Sequence, residues 1–242
     1  GLFLSFANSF KNMIKNFPKI SIVTPSFNQA NFIEKTIKSV LNQNYPNLEH
    51  IVMDGGSTDG TVEILKKYDG KIIWKSEKDR GQADAINKGL KLATGEIFSY
   101  LNSDDILLPG SLTKVAKFFI RNRQIKWVFG KCKIINQKGS EVRKFVTIYK
   151  NLLLPFVSKN FLLVINPISQ PATFWRREVT EKIGFFDEGE YYCMDYDYWL
   201  KVISKFKPGF INENLAGFRI HQKSKSELNV IEHFQDELKI AK

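Results

Sequence analysis

Short apolar strands alternate with amphipathic helices from Lys19 onward, and that alternation is what most limits how this chain can fold. Ile20-Ser21-Ile22-Val23-Thr24 reads as a buried strand ended by Pro25. Asn31 is placed as a helix cap with Glu34 as its capping-box partner, followed by Phe32, Ile33, Thr36, Ile37, Val40 and Leu41 at helical spacing. Leu48 to Met53 predicts a second strand, residues 54–60 a tight loop and Thr61 to Tyr68 a short helix. Ile72 to Trp74 predicts a third strand, Gln82 to Ala93 a helix with Ala83, Ile86, Leu90 and Ala93 on one face, and Glu96 to Leu101 a fourth strand. Repeated strand-helix-strand units with short connections imply right-handed crossovers, so the expected fold is a single α/β domain with a mainly parallel central sheet flanked by helices.

Beyond Leu101 the pattern is more mixed. Ser111 to Arg121 predicts a helix, Trp127 to Ile135 and Val142 to Ile148 predict strands, and Asp195 to Phe206 an amphipathic helix. Leu152 to Ile168 is apolar and aromatic without clean periodicity. Residues 1–18 carry Leu2, Phe3, Leu4, Phe6, Phe10, Met13, Ile14 and Phe17 with lysines after the apolar part, which is an amphipathic segment without the order of a signal peptide. It fits a helix on a membrane surface or one packed on the domain. Residues 223–242 read as a polar helical tail.

The net charge of +11, from 36 basic and 25 acidic residues, fits either attraction to polyanions or a solvated basic surface. The basic residues are scattered and match no nucleic-acid motif, so no nucleic-acid partner is expected. The two cysteines, Cys132 and Cys193, form neither a metal-type pair nor a disulfide framework, which suits a reducing, cytoplasmic compartment.

The chemistry sits where the strands end. In an open α/β sheet, ligands bind beyond the carboxyl ends of the strands. The first end, Thr24-Pro25-Ser26-Phe27-Asn28, offers hydroxyls, an amide and a ring to a nucleotide base. The second offers Asp54 followed by Gly55-Gly56, which lets a backbone approach a ligand. The fourth runs through Tyr100-Leu101-Asn102-Ser103 into Asp104-Asp105. Adjacent carboxylates repel unless a cation or a proton uses them, so a hard metal is implied, with Asp104 as ligand. His221 is a distant second candidate, and an imidazole suits Mn²⁺ better than Mg²⁺. Asp195 and Asp197 open a helix, either offsetting its dipole or supplying a general base.

Five segments in this order resemble the family 2 glycosyltransferases, inverting enzymes of the Rossmann-like GT-A fold. They are residues 21–28, 54–61, 81–89, 101–105 and 195–200 (Ser-Ile-Val-Thr-Pro-Ser-Phe-Asn, Asp-Gly-Gly-Ser-Thr-Asp-Gly-Thr, Gly-Gln-Ala-Asp-Ala-Ile-Asn-Lys-Gly, Leu-Asn-Ser-Asp-Asp and Asp-Tyr-Asp-Tyr-Trp-Leu). The resemblance implies a GT-A domain over residues 19–222, with a nucleotide-binding half at 19–105 and an acceptor half at 106–222. It implies that Pro25, Asn28 and Asp54, with Thr24 at the same strand end, line the pocket for the base and ribose. Ser103 would lie beside the ribose, and Arg80, Gln82 and Asp84 near the donor sugar and phosphates. Asp104 would be the metal-binding member of the Asp-x-Asp motif, His221 would approach the metal or diphosphate, and Asp195 would be the catalytic base. Two positions depart from the family pattern: Asn102 replaces the first Asp of Asp-x-Asp, and Gly55 stands in the usual Asp-Asp-Gly-Ser loop.

The expected activity is metal-dependent (Mn²⁺ or Mg²⁺) transfer of a sugar from a nucleotide-sugar, with a UDP-sugar the expected donor. The acceptor is a hydroxyl of a saccharide or a lipid-linked saccharide, in cell-surface polysaccharide synthesis and with peripheral contact at the inner face of the membrane. A nucleotidyltransferase is the alternative enzyme, but Thr24 to Ala30 has neither Gly nor Lys to cradle phosphate. An inactive glycan- or nucleotide-binding relative is the other alternative, opposed by the presence of Asp104 and Asp195.

Overall fold

The computed structural model describes residues 17–190, 193–222 and 240, so the expectations for 1–18 (apart from Phe17 and Pro18) and for the 223–242 tail lie outside the described residues. The predicted alternation forms β1 (Ile20–Ser26), α1 (Ile33–Leu41), β2 (Leu48–Asp54), α2 (Thr61–Lys66), β3 (Ile73–Ser76), α3 (Gln82–Leu92) and β4 (Ile97–Tyr100). These strands run parallel in the order β3-β2-β1-β4, with Ser26 opposite Asp54 and Asp54 opposite Ser76. Their carboxyl ends therefore share one edge. Asn31 does not cap α1: Phe32 takes the cap position without a side-chain hydrogen bond, and Glu34 instead pairs with Lys38 at 3.0 Å.

The second half adds β5 (Ile106–Leu107), α4 (Ser111–Arg121), β6 (Trp127–Ile135), α5 (Lys144–Leu153), α6 (Lys159–Leu162), β7 (Thr173–Arg176), α7 (Arg177–Ile183), α8 (Met194–Ile203) and β8 (Pro208–Arg219). The sheet continues β4-β7-β6-β8-β5, with β7 antiparallel to both neighbours, β6 and β8 parallel, and β5 antiparallel to β8. The sheet is thus mainly parallel in its first half and mixed in its second.

Three differences from the sequence reading have physical reasons. Val142 to Ile148 is not a strand; residues 144–148 lie in helix α5, where the β-branched Val-Thr-Ile run mimics a strand pattern that no neighbouring strand pairs. Strand β8 escapes the sequence reading because Asn212-Glu213-Asn214 reads as a turn; the structure absorbs that stretch in register shifts at Gly130/Lys131 and Lys131/Cys132. Strand β7 is only four residues long and too short to announce itself.

Both faces of the sheet are covered, and alternation decides which residue goes where. Val23, Phe98, Tyr100, Trp127 and Phe129 face one core with Ile86, Leu90, Trp175 and Trp199. Ile22, Ile97, Leu101 and Val128 face the other with Val115, Phe119 and Leu215. Gly89 sets how closely α3 lies on the first strands. A Cβ there would fall inside the contact distance of Val23 Cγ1 and lie 3.3 Å from Met53 Cγ. Gly89→Ala should therefore lower stability, since overpacking costs about 1–3 kcal/mol and outweighs the ~1 kcal/mol helical advantage of alanine. A urea midpoint that rises instead would show that α3 can move away freely. Among the described residues, no helix is long and apolar enough to cross a membrane.

Candidate active site

The shared edge of β1 to β4 collects the polar groups. Asp54 ends β2 and is 2% exposed. Its carboxylate accepts hydrogen bonds from Gly56 N (3.2 Å), Ser57 N (2.9 Å), Ser57 Oγ (2.5 Å) and Ser76 Oγ (2.6 Å). The loop after β2 is therefore folded around that carboxylate. Asn28, at φ 53°, locks the β1 end to the same loop: its N–H donates to Ser57 Oγ (2.7 Å) and its Oδ1 accepts from Thr58 N (2.9 Å). Gly55 leaves room for the Asp79 carboxylate, whose Oδ2 lies 2.6 Å from where a Cβ would sit, so a larger residue would push that side chain aside.

Thr24 and Pro25 are buried inside β1 rather than at its open end. The Thr24 hydroxyl lies 2.9 Å from His50 Nε2, and burial holds His50 down at about 3, so the imidazole there is neutral. Phe27, one residue beyond β1, is 59% exposed at this edge.

The turn before α3 forms a second group. Arg80 bridges Asp84 (3.1 Å) and Glu188 (2.6 Å), and Lys88 reaches Asp84 at 3.0 Å. Burial would raise the Asp84 carboxyl, but bonds from the Arg80 N–H and guanidinium and from Lys88 hold it at about 2. Gln82 Nε2 donates to Asn102 Oδ1 at 2.7 Å, tying this turn to the residue in the first Asp-x-Asp position. Arg80, Gly81, Gln82 and Ala83 line a cleft whose other wall is Glu188, Glu190 and Met194.

Met194 begins α8, and Asp195 follows in its first turn, half-buried. The Tyr196 hydroxyl donates to the Leu162 carbonyl (2.8 Å) and Trp199 stacks on Trp127 at 5.6 Å, which fixes the helix against the core. Asp195 faces the buried Tyr100: burial, then the Asp195 and Asp105 charges, raise the Tyr100 phenol well above its ordinary range.

Topology also explains the contact between the two candidate metal ligands. β5 pairs antiparallel with β8, Ile106 opposite Gly217. Extending that register by two residues sets Asp104 opposite Arg219, and His221 lies just beyond. His221 Nε2 is 2.9 Å from Asp104 Oδ2 across 117 residues of sequence. Phe32 stacks on the His221 ring (4.6 Å between centroids), and the Arg219 guanidinium covers Phe32 at 5.5 Å. Arg219 Nε donates to the Asp104 carbonyl (2.6 Å) and its backbone N–H to Asp105 Oδ1 (2.7 Å). Asp105 is fully buried; burial and the Asp104 charge push its carboxyl well above the usual range, opposed by Arg219. Ser103 is buried, and its carbonyl accepts from Thr36 Oγ1 at 2.8 Å.

Sequence reasoning misses Arg219, Phe32, Ser76 and Glu188 as site residues. Phe32 reads as a core position of α1, and Arg219 lies in the unforeseen β8. Only Arg219, beside His221 in Phe-Arg-Ile-His, carries any local signal.

A carboxylate and an imidazole in direct contact offer an oxygen and a nitrogen donor to a divalent cation. Among the described residues, no third His, Cys, Asp or Glu joins a cluster with them.

Known proteins share this chain's sequence pattern and its fold. The family model for glycosyl transferase family 2 matches residues 21–184. The chain is 32% identical over 212 residues to the putative teichuronic acid biosynthesis glycosyltransferase TuaG of Bacillus subtilis, covering 86% of this chain and 81% of TuaG. The structure of S. aureus TarS 1–349 in complex with UDP-GlcNAc superposes with a TM-score of 0.70 at 19% identity, covering 90% of this chain and 64% of that one. The mannosyltransferase PcManGT from Pyrobaculum calidifontis, in complex with GDP-Man and Mn²⁺, gives 0.68 at 19% identity, covering 91% and 63%. The chain thus spans less than two thirds of these two solved structures, and shares with them the GT-A fold. By its sequence and its fold, this chain belongs to the family 2 glycosyltransferases.

Proposed function

We propose that the protein is an inverting glycosyltransferase that moves a sugar from a nucleotide-sugar, with UDP the expected nucleotide, to a hydroxyl of a saccharide or lipid-linked acceptor in cell-surface polysaccharide synthesis. The observation that carries this is the meeting of Asp104 and His221 at 2.9 Å beyond the carboxyl ends of the parallel strands, the edge at which Asp54 ends β2. The name of TuaG supports the polysaccharide setting, and the TarS complex supports UDP.

The Asn28–Ser57–Asp54 network holds the base-side loop in place before the donor arrives. Arg80 and Gln82, which border a cleft beside Asn102, would meet the donor's sugar and diphosphate. Asp104 and His221 would hold a divalent cation, which when bound neutralises charge growing on the leaving diphosphate. Asp195 takes the proton from the acceptor hydroxyl as its oxygen bonds to the anomeric carbon. The bond from that carbon to the diphosphate breaks with its electron pair leaving on the diphosphate, so the anomeric configuration inverts. An ordinary aspartate, ionising at about pH 3.9, is a weak base, but the hydroxyl acidifies as the new bond forms.

A panel of UDP-, GDP- and dTDP-sugars, titrated calorimetrically with and without Mn²⁺, tests the reading. One donor should bind with strong Mn²⁺ dependence and be slowly hydrolysed. Asp104→Asn should weaken that metal-dependent binding by about 100-fold or more, since loss of an outer-shell partner alone costs about 10–100-fold. Identical donor binding with and without Mn²⁺ would remove Asp104 from the proposed role.

A further inference from the structure

Among the described residues, nine of the fourteen exposed large apolar side chains lie between residues 145 and 165. Helix α5 buries only Thr147 and turns Phe145, Ile148, Tyr149 and Leu152 outward. These four follow i, i+3, i+4, i+7 spacing, so they form one continuous stripe. Phe145 is 90% exposed, Leu152 66%, Phe156 in the next turn 68%, and Val164 after α6 81%. A surface helix normally turns such a stripe inward. Here it faces out, and a contiguous exposed apolar face marks a membrane or partner surface.

Charge decides between the two. No Asp or Glu occurs from residue 142 to residue 177, while Arg143, Lys144, Lys150 and Lys159 are interleaved with the apolar side chains. Aromatic and aliphatic groups flanked only by cations match the interface of an anionic bilayer, where apolar burial and headgroup attraction act together. The patch is also joined to the chemistry: the Leu162 carbonyl in α6 holds the hydroxyl of Tyr196, the neighbour of Asp195.

We propose that residues 144–165 form an interfacial docking surface for anionic phospholipid, which turns the Asp195 helix toward an acceptor carried in that bilayer. The docking stands on its own, and only the acceptor clause rests on the glycosyltransferase reading.

Sedimentation with phosphatidylglycerol-containing vesicles, against phosphatidylcholine alone, at low and high salt, tests it. The protein should bind the anionic vesicles and release at high salt. Phe145→Glu with Leu152→Glu should reduce binding by about tenfold or more. Lys144→Ala with Lys159→Ala should reduce it by about thirtyfold, from roughly 1 kcal/mol per basic residue near the surface. Nucleotide-sugar hydrolysis without lipid should be unchanged in both variants, which separates docking from folding and from the donor site. Absence of wild-type binding to anionic vesicles at low salt overturns the proposal. So does binding that is indifferent to the Phe145 and Leu152 substitutions, or a wild-type dimer that they dissociate without any lipid effect, which would assign the stripe to a second copy. If docking holds while no nucleotide-sugar is hydrolysed, the glycosyltransferase reading fails and the docking surface remains.

Discussion

Asp195→Asn should abolish most sugar transfer while leaving nucleotide-sugar affinity within about twofold of wild type. Asparagine has the same shape, and its side-chain oxygen can still accept from Tyr196 N, which lies 2.9 Å from Asp195 Oδ1. The helix is held from elsewhere, by the Tyr196 hydroxyl on Leu162, the Tyr198 hydroxyl on Gly184 and the packing of Trp199. The substitution therefore removes the proton acceptor while these anchors of the helix remain. A positioned general base contributes about 10²–10⁴-fold, and that is the expected fall in turnover. The fall should appear in kcat with little change in donor KM, because Asp195 meets the acceptor hydroxyl in the transition state. Turnover near wild type would show that another group takes the proton and that Asp195 serves only the helix dipole.

The first half of the fold is legible because its signals are local. Each strand from β1 to β3 is a short apolar run followed by a turn and a periodic helix, and parallel pairing with β4 then forces the carboxyl ends to one edge. Asp54 and Asp104 can be placed at that edge from position alone. The Asp104–His221 contact cannot, since it depends on β8, whose Asn212-Glu213-Asn214 stretch hides the strand. Helix α5 reads partly as a strand for a related reason. Its apolar positions face outward, so no core contact disciplines the pattern, and β-branched Val146, Thr147 and Ile148 suggest the wrong period. The positions of Asn28 and Asp54 gain a physical account that sequence does not contain: the two residues build one loop through Ser57.

Arg219→Met should be the most destabilising single change at the site, because Arg219 serves the fold and the candidate metal ligands together. The side chain is 2% exposed. Its guanidinium donates to the carbonyls of Asp104 (2.6 Å), Asn136 (2.7 Å) and Gln137 (3.1 Å), and it lies over the Phe32 ring that stacks on His221. Methionine fills a similar volume but leaves those carbonyls without donors, and removes the cation that opposes the buried Asp105. Each buried polar group left unmade costs about 1–3 kcal/mol, and breaking a buried charged cluster typically costs about 3–5 kcal/mol. At roughly 2–4 °C per kcal/mol for a domain of this size, Tm should fall by about 10 °C. Arg219→Lys should recover part of that loss, since it restores the charge without the planar fork that reaches three carbonyls at once. The same ordering should hold for Mn²⁺-dependent donor binding, wild type above lysine above methionine, because the Asp104 backbone is fixed to β8 through this side chain. A methionine variant with unchanged Tm would mean that the carbonyls find water and that β5 and β8 hold Asp104 against His221 by strand pairing alone.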